Sequence, residues 1–298
     1  LFLSFLMMLT LLPLAAANKY DNPDTIVVSR DGTGEFRTID EAIEVCRAFM
    51  EYTKVIYVKK GVYKEKLIIP EQLEKAKERV ADKIKEGKYI AYFQSFTNTY
   101  GPIEKLEKMY QEAVTPDYIV GLNIATRPDC LPEETIRLLA EINAIKPVTV
   151  ELGLQTADDT VADYINRGYE TRVYKDALSR LKSAGLEVIT HIIIGLPNDD
   201  PVATTRYAVN CGTDGVKFHL LHILKNTRLA KEYEEGRIKP LSLEEYAQIL
   251  KNCISVLPKE TVVHRITGDG AKKDLIAPLW SADKKKTLNY LHTYLEKA

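Results

Sequence analysis

Polar side chains that could bind a ligand interrupt or follow five apolar segments of this sequence. They carry amide, hydroxyl, carboxylate, guanidinium and imidazole groups: Gln94, Thr97, Asn98, Glu151, Gln155, Arg167, His191, Lys217, His219 and His222. Carboxylates and imidazoles can exchange protons, and a planar guanidinium pairs with a carboxylate through two hydrogen bonds. A sheet with a purely structural role would carry such groups at few of its strand ends. We therefore expect these residues to build a ligand site.

The elements that position them are apolar runs separated by segments with helical periodicity. The runs are 89–94, 118–125, 147–155, 186–197 and 215–224. Helix signals lie between and after them, among them Pro132 in a first turn, Gly185 at a helix end and a capping box of Ser242 with Glu245. This alternation predicts a parallel sheet covered by helices, either doubly wound or a barrel. In a parallel barrel, ligands bind at the carboxyl ends of the strands.

Several of these residues also have a purely structural interpretation. Glu151 could be a buried polar residue bonded to a neighbouring strand, and Arg167 could be a cation that interacts with a helix C-terminus. His191, His219 and His222 could be hydrogen-bonded core residues. His219 and His222 are three positions apart in a predicted strand, so we expect them on opposite faces and predict no metal site.

Composition excludes some classes of function. The chain has 298 residues, 45% hydrophobic and 28% charged, which suits one large domain or two smaller ones. The net charge of −1 provides no electrostatic footprint for nucleic acid. The four cysteines, Cys46, Cys130, Cys211 and Cys253, form no C-x-x-C pair, and we interpret them as buried free thiols, with two disulfides as the alternative.

The first part of the chain predicts export. Residues 1–17 form an apolar run that ends in three alanines, which is typical of a secretory signal peptide. Residues 24–69 then predict strand, turn, helix, strand, turn and strand, with Thr38 and Glu41 as a capping box. We interpret Asp31–Phe36 as a turn rather than a phosphate loop. No membrane span is expected beyond the signal peptide.

This N-terminal block resembles the start of pectinesterases. The matching residues are Asp31–Gly34, Phe36, Thr38–Ile39, Glu41–Ile43 and Tyr57–Glu65. The resemblance implies a secreted carbohydrate esterase and the first strands of a parallel β-helix. The catalytic residues of that family lie on later coils, which do not follow here, so none is assigned. We therefore define residues 18–70 as a pectinesterase-like fragment.

Residues 71–298 resemble the radical SAM superfamily. The motifs are "TRPD" at 126–129, "ELGLQT…INRG" from 151 to 168 and "IIIGLPND" at 192–199. Further motifs at 92–100, 217–227, 267–269 and 277–280 resemble a bacterial group related to elongator-type and coproporphyrinogen-oxidase-type proteins. The resemblance implies an α/β fold with a partial parallel (β/α) barrel. It also implies S-adenosylmethionine (SAM), a [4Fe–4S] cluster and a cytoplasmic protein.

The resemblance also suggests roles for the site residues. Gln94, Thr97 and Asn98 would contact the amino end of SAM, in a segment where the family usually has two glycines. Gln155 would contact its methionine or ribose portion, and Arg167 its carboxylate. Residues 192–197, with Gly195 and Pro197, would line the adenine, and His219 and His222 would face the substrate. Glu151 and His191 are included as further site residues.

The cluster loop of the superfamily is not found in this sequence. No C-x-x-x-C-x-x-C segment occurs, and the two resemblances meet near Ile69–Glu71, just after the place where that loop would end. One resemblance implies export and the other a cytoplasmic enzyme, so we interpret the chain as a chimera. We expect SAM binding without turnover on an unspecified substrate. The alternatives are a pectinesterase-family protein and a non-catalytic binding module.

Overall fold

The computed structural model describes residues 25–29, 31–37, 56–58, 69–80, 87–94, 97–268, 270 and 272–296. The chain divides into two compact units, Leu1–Leu67 and Ile68–Ala298. The predicted signal peptide, the helix after Thr38, Cys46, and the turn at Gly61 with the strand after it lie outside the described residues.

The first unit contains two short parallel strands, β1 (Ile26–Val28) and β2 (Ile56–Val58). The chain turns directly after β1, where the Asp31 carboxylate accepts hydrogen bonds from the Thr33 amide at 2.9 Å and the Thr33 hydroxyl at 2.6 Å. Gly34 is required there, since an added Cβ would lie 2.5 Å from the Val27 carbonyl oxygen. The segment is therefore a tight turn, as predicted, and its amides serve the turn itself.

The second unit is a curled six-stranded parallel sheet. Its strands are β3 (Tyr89–Phe93), β4 (Ile119–Thr126), β5 (Val148–Gln155), β6 (Glu187–Ile194), β7 (Gly215–Leu220) and β9 (Val262–Arg265), hydrogen-bonded in that order. A separate antiparallel pair joins β8 (Ile223–Leu224) to β10 (Leu275–Ala277). Among the described residues β3 and β9 are not paired with each other, so the sheet is a half-barrel. The predicted partial parallel barrel is confirmed.

Helices follow the strands and cover the outer side of the sheet. They span Ile69–Val80, Ile103–Val114, Glu133–Asn143, Asp159–Tyr164, Thr171–Ser183, Pro201–Cys211, Arg228–Glu234, Leu243–Ser255 and Lys284–Glu296. Local signals explain where several begin: Asp158 and Asp200 accept two backbone hydrogen bonds each, and Ser242 with Glu245 forms the predicted capping box. No helix in the described part of the chain is long and apolar enough to cross a membrane.

The core lies between the sheet and these helices. Tyr110, Tyr174, Phe218 and Tyr246 are among its largest fully buried side chains. β5 runs through the middle of the sheet, and seven of its eight residues are buried. The opposite, concave face of the sheet carries polar side chains, because successive residues of a strand point to opposite faces.

Candidate functional site

A single buried carboxylate organises the concave face. Glu151 on β5 accepts hydrogen bonds from the Tyr92 hydroxyl at 2.5 Å, His191 Nε2 at 2.8 Å and Asn123 Nδ2 at 3.4 Å, and it forms an ion pair with the Lys217 ammonium. Its side chain is 0% exposed, against 12% for Lys217 and 18% for His191. Residues on five strands therefore meet at one point.

Side-chain length matches strand distance around Glu151. Asn123 on β4 and His191 on β6 are on the neighbouring strands and reach the carboxylate with short side chains. Tyr92 on β3 and Lys217 on β7 are two strands away, about 9 to 10 Å across a sheet, and both have long side chains. Lys217 Nζ also lies 5.0 Å from the centroid of the Tyr92 ring. The sheet must curl for both to reach β5.

The hydrogen bonds to Glu151 determine its protonation. Burial alone would raise the pKa of this carboxyl, but hydrogen bonds from His191, Lys217 and Tyr92 outweigh burial and lower the pKa to about 2. Burial, followed by the hydrogen bond to Glu151 and its charge, raises the pKa of Tyr92 well above its ordinary value. Glu151 is thus a permanent anion at neutral pH, and Tyr92 is a permanent donor.

Two histidines continue this polar set toward the carboxyl ends of the strands. The His191 and His219 rings have centroids 4.8 Å apart. Burial, then the charges of His191, Arg265 and Lys217, lowers the pKa of His219 to about 3, so its imidazole is neutral at neutral pH. Its buried Nε2 atom has no hydrogen-bond partner among the described residues. A buried polar atom without a partner is costly unless a ligand or water supplies one.

The expected relation between His219 and His222 is wrong. The predicted strand 215–224 breaks after Leu220, so His222 does not lie on the same strand as His219. Both rings lie beside Gly268, where an added Cβ would be 3.4 Å from His219 Nδ1 and 3.7 Å from His222 Cε1. They therefore approach the same segment from the same side. No group of three His, Cys, Asp or Glu residues in the described chain could hold a metal.

The segment after β3 is held by its own polar side chains. The Asn98 amide donates to the Phe93 carbonyl oxygen at 3.3 Å and the Ala125 carbonyl oxygen at 2.9 Å, and the Thr97 and Thr126 hydroxyls are 2.7 Å apart. Gln94 is exposed directly after the strand. Thr97 and Asn98 thus join the carboxyl ends of β3 and β4. Their contact with the amino end of SAM stays a prediction.

Gln155 ends β5 in a left-handed conformation, with φ of 67°. Such a φ is uncommon for a residue with a side chain and is often found at functional sites. Its amide lies over Gly153, where an added Cβ would be 2.7 Å from Gln155 Nε2. No hydrogen bond from the Gln155 side chain to a described residue is present. The amide therefore has donors and an acceptor to offer a ligand.

The guanidinium of Arg167 makes all of its hydrogen bonds within the protein. Its guanidinium donates to the carbonyl oxygens of Leu154 at 2.9 Å, Thr156 at 2.6 Å and Tyr169 at 2.8 Å, and it pairs with Asp159 at 2.9 Å. The side chain is 2% exposed and also contacts Thr171. All five of its N–H groups have partners in this arrangement. Arg167 is therefore a buried residue that holds the loop after β5 in place. Its binding of the SAM carboxylate stays a prediction.

Gly195 and Pro197 lie on the loop that follows β6. Gly195 has a φ of 103°, and an added Cβ there would lie 3.3 Å from Leu241 Cδ1. Leu196 is buried, and Pro197 lines a cavity of about 300 Å³ with Tyr164, Glu232 and Arg237. The loop is thus built from glycine and apolar side chains. Its role as the adenine wall stays a prediction.

Sequence reasoning missed Tyr92, Asn123 and Arg265 as members of the site. Tyr92 and Asn123 alternate with buried residues of β3 and β4, and that alternation was the available signal. Arg265 lies on β9, a four-residue strand that was not predicted.

Comparison with known protein families agrees with this architecture. The Radical SAM superfamily model matches residues 21–207, and the Radical_SAM C-terminal domain matches residues 213–297. The chain belongs to the radical SAM superfamily. The first match begins within the pectinesterase-like fragment, so that fragment, the signal peptide and the chimera stay predictions.

Individual relatives align with most of this chain. YtqA of Bacillus subtilis is 41% identical over 228 residues, 76% of this chain and 71% of the relative. YhcC of Escherichia coli K12 is 38% identical over 214 residues, 70% and 69% of the two chains. The structure of Methanocaldococcus infernus Elp3 with an N-terminal deletion has a TM-score of 0.61 at 20% identity, covering 75% of this chain and 59% of that one. This last similarity concerns the fold alone.

The radical SAM superfamily implies SAM and a [4Fe–4S] cluster, but the described cysteines do not fit a cluster. Cys130 follows the carboxyl end of β4, whereas Cys211 precedes the amino end of β7. The two therefore lie at opposite ends of the parallel strands. Cys253 is fully buried in a helix. Burial raises the pKa of Cys211, and it raises that of Cys253 to about 11, which disfavours the thiolate that iron requires.

Proposed function

We propose that this radical SAM protein binds SAM at the carboxyl edge and concave face of its half-barrel, and that it does not cleave SAM by itself. The observation that carries the proposal is the concave face itself. It holds an ordered polar set around Glu151, next to two groups with unused hydrogen-bonding capacity, the Gln155 amide and His219 Nε2. Family membership makes SAM the ligand to test first.

The chain's own residues would divide the work of binding. The Gln155 amide, held over Gly153, would hydrogen-bond the methionine or ribose portion of SAM. The loop with Gly195 and Pro197 would pack against adenine. Arg167 would act as a positioning residue, because it holds the loop after β5 through the Leu154 and Thr156 carbonyls. Glu151 would keep Tyr92, His191 and Lys217 fixed beneath the ligand.

Reductive cleavage of SAM needs an electron, which the [4Fe–4S] cluster of the superfamily supplies. The described thiols lie apart, and burial raises the pKa of Cys211 and Cys253, so no step is assigned to a cluster here. We expect a protein that binds SAM and releases it unchanged. This is the behaviour of a binding module with the superfamily fold.

Isothermal titration calorimetry with SAM tests the first half of this proposal. We expect saturable binding to the full chain, and weaker binding to the Gln155→Ala variant. Lack of SAM binding by the folded wild-type protein would overturn it. Anaerobic reconstitution with iron and sulfide, followed by reductant and SAM, tests the second half. Stoichiometric cluster and 5′-deoxyadenosine would show that the chain is competent for turnover.

A pectinesterase activity remains the alternative for the N-terminal fragment. It is supported by the resemblance of residues 24–69 and by the tight turn at Asp31–Thr33. Methanol release from methylated pectin tests it, and we expect none.

A further inference from the structure

A register shift in the last strand of the half-barrel changes the direction of Arg265. β9 pairs with β7 through Gly215↔Val262 and Val216↔Val263, but the next pair is Lys217↔Arg265. Regular alternation would place Arg265 on the helix side with Val263, which packs against the core. The extra residue, His264, places Arg265 beside Lys217 instead. β-bulges commonly redirect side chains next to functional sites.

Both bulge residues lie on the concave face. Lys217 reaches Glu151 on that face, and directly paired residues of neighbouring strands point the same way. The His264 ring covers Gly215, where an added Cβ would lie 2.7 Å from His264 Cδ2. Burial lowers the pKa of His219 most, followed by the charge of His191 and then that of Arg265. The charge of Arg265 also acts to lower the pKa of Tyr92, against the larger effect of burial. The guanidinium is therefore close to the polar set.

Arg265 has no ion pair or hydrogen bond to any described residue, although it is half-buried. Lys217, the other cation on this face, is neutralised by Glu151. Arg137 and Arg206, which also lack an acidic partner among the described residues, are exposed to water on helices. A guanidinium that is partly withdrawn from water is stabilised when an anion pairs with it, because burial disfavours an unpaired charge.

No described carboxylate pairs with Arg265: Glu151 bonds Lys217 and His191, and Glu187, whose charge acts on His264, accepts its hydrogen bond from Thr149 near the amino end of β6. The charges of Glu151 and Lys217 balance each other, and Tyr92 stays protonated. Burial lowers the pKa of His264 below its ordinary value. His219 is neutral and carries the unpartnered Nε2 atom. The concave face therefore presents a guanidinium that no described carboxylate pairs, beside one imidazole nitrogen without a hydrogen-bond partner.

We propose that Arg265, assisted by His219 Nε2, binds a carboxylate or phosphate group of a ligand on the concave face. The planar guanidinium fork suits either anion, and a neutral imidazole can donate one further hydrogen bond. This inference rests on the proposed function for the presence of SAM, whose own carboxylate is one source of the anion. The other source is a second molecule, the substrate, which would then be anionic.

Three probes distinguish these sources: SAM, decarboxylated SAM and inorganic phosphate. Each is titrated against the full-length wild type, Arg265→Gln and a matched control, Arg137→Gln, at constant ionic strength. We expect Arg265→Gln to weaken phosphate binding about ten-fold or more, since a charged hydrogen bond contributes that much. Arg137→Gln should bind phosphate like the wild type.

The titrations with SAM and decarboxylated SAM show which molecule supplies the anion. If SAM weakens in Arg265→Gln while decarboxylated SAM is unaffected, the SAM carboxylate occupies the site. If SAM is unaffected while phosphate weakens, the site serves an anionic substrate. Equal affinities of Arg265→Gln and Arg137→Gln for both phosphate and SAM would overturn the inference. Failure of the wild type to bind SAM would refute the proposed function alone, because the phosphate arm still reports on Arg265.

The expected loss of phosphate binding can be distinguished from unfolding of the variant. Arg265 makes no hydrogen bond or ion pair with a described residue, so Arg265→Gln should unfold close to the wild-type temperature. His219→Leu should weaken phosphate binding several-fold, and His219→Gln, which keeps a donor, should restore part of it. If His219→Leu binds phosphate normally, His219 has no part in the site.

Discussion

His191 Nε2 lies 2.8 Å from Oε2 of Glu151 inside the half-barrel, and the carboxylate has no exposed surface. The same group carries the ion pair with Lys217. Removing one member of such a pair leaves the other charge buried and unpaired. The stability of the concave face therefore depends on Glu151 more than on any of its donors.

Glu151→Ala should lower the free energy of unfolding by about 3–5 kcal/mol, because the Lys217 ammonium loses its counter-charge. Urea denaturation at neutral pH measures this. Glu134→Ala, at an exposed glutamate on a helix, provides the control and should change the free energy by less than about 0.5 kcal/mol. A similarly small effect of Glu151→Ala would show that the network is not structurally important.

His219 should make stability depend on pH in a defined window. Its pKa falls from an ordinary value of about 6.5 to about 3 in the folded chain. Between these pH values His219 is protonated in the unfolded chain and neutral in the folded chain. The free energy of unfolding therefore decreases as the pH falls from about 6.5 toward 3. His219→Gln should remove up to about 1.4 kcal/mol per pH unit of that slope. Denaturation midpoints across the window measure it.

His292 is the control for this pH dependence, because it is exposed on the last helix. His292→Gln should leave the slope unchanged. An unchanged slope in His219→Gln as well would mean that the folded protein protonates His219 normally, and that its ring is in contact with water.

Arg167→Ala should destabilise the fold by about 3 kcal/mol or more, since carbonyl oxygens of Leu154 and Thr156 lose a charged donor in a buried place. Arg167→Lys should recover little, because a point charge cannot reproduce the planar fork. Chemical denaturation measures both. Arg172→Ala, 80% exposed nearby, serves as the control. Normal stability of Arg167→Ala combined with lost SAM binding would instead support the direct carboxylate contact.

Gln155→Gly should separate strain from ligand binding. Glycine adopts a φ of 67° freely, so the free energy of unfolding should stay equal or rise by up to about 1 kcal/mol. The loss of the amide should weaken SAM binding several-fold. Asn226→Gly, at a φ of 62° on an exposed turn, should give a similar stability change with no effect on SAM. Unchanged SAM affinity in Gln155→Gly would remove its amide from the proposed site.

Five strands of the half-barrel and several helix limits were predictable because each is encoded locally. Apolar runs of strand length predicted β3 to β7, and Ser242 with Glu245 predicted a helix start that the structure confirms. Glu151 and His191 were included for their chemistry and strand position, and the structure places them in direct contact. The family resemblance supplied the partial barrel.

The remaining features depend on contacts that no local pattern encodes. Lys217 and Glu151 are 66 positions apart, and Tyr92 and Glu151 are 59 apart. The end of β7 at Leu220 takes His222 off the strand of His219, which overturned the prediction for His222. The bulge at His264 shifts the next side chain by one position, which concealed Arg265. Arg167 satisfies carbonyl oxygens at the end of β5, and those carbonyls have no signature in the residue types.

The carboxylate of Glu151 also controls the curvature of the sheet. Its donors come from β3, β4, β6 and β7, so flattening the sheet would lengthen bonds on both sides of β5 together. Opening and closing motions of the concavity are thereby opposed from β3 to β7 and left to β9, which has no bond to Glu151. The width available to a ligand is consequently set by the reach of one tyrosine and one lysine before any ligand arrives.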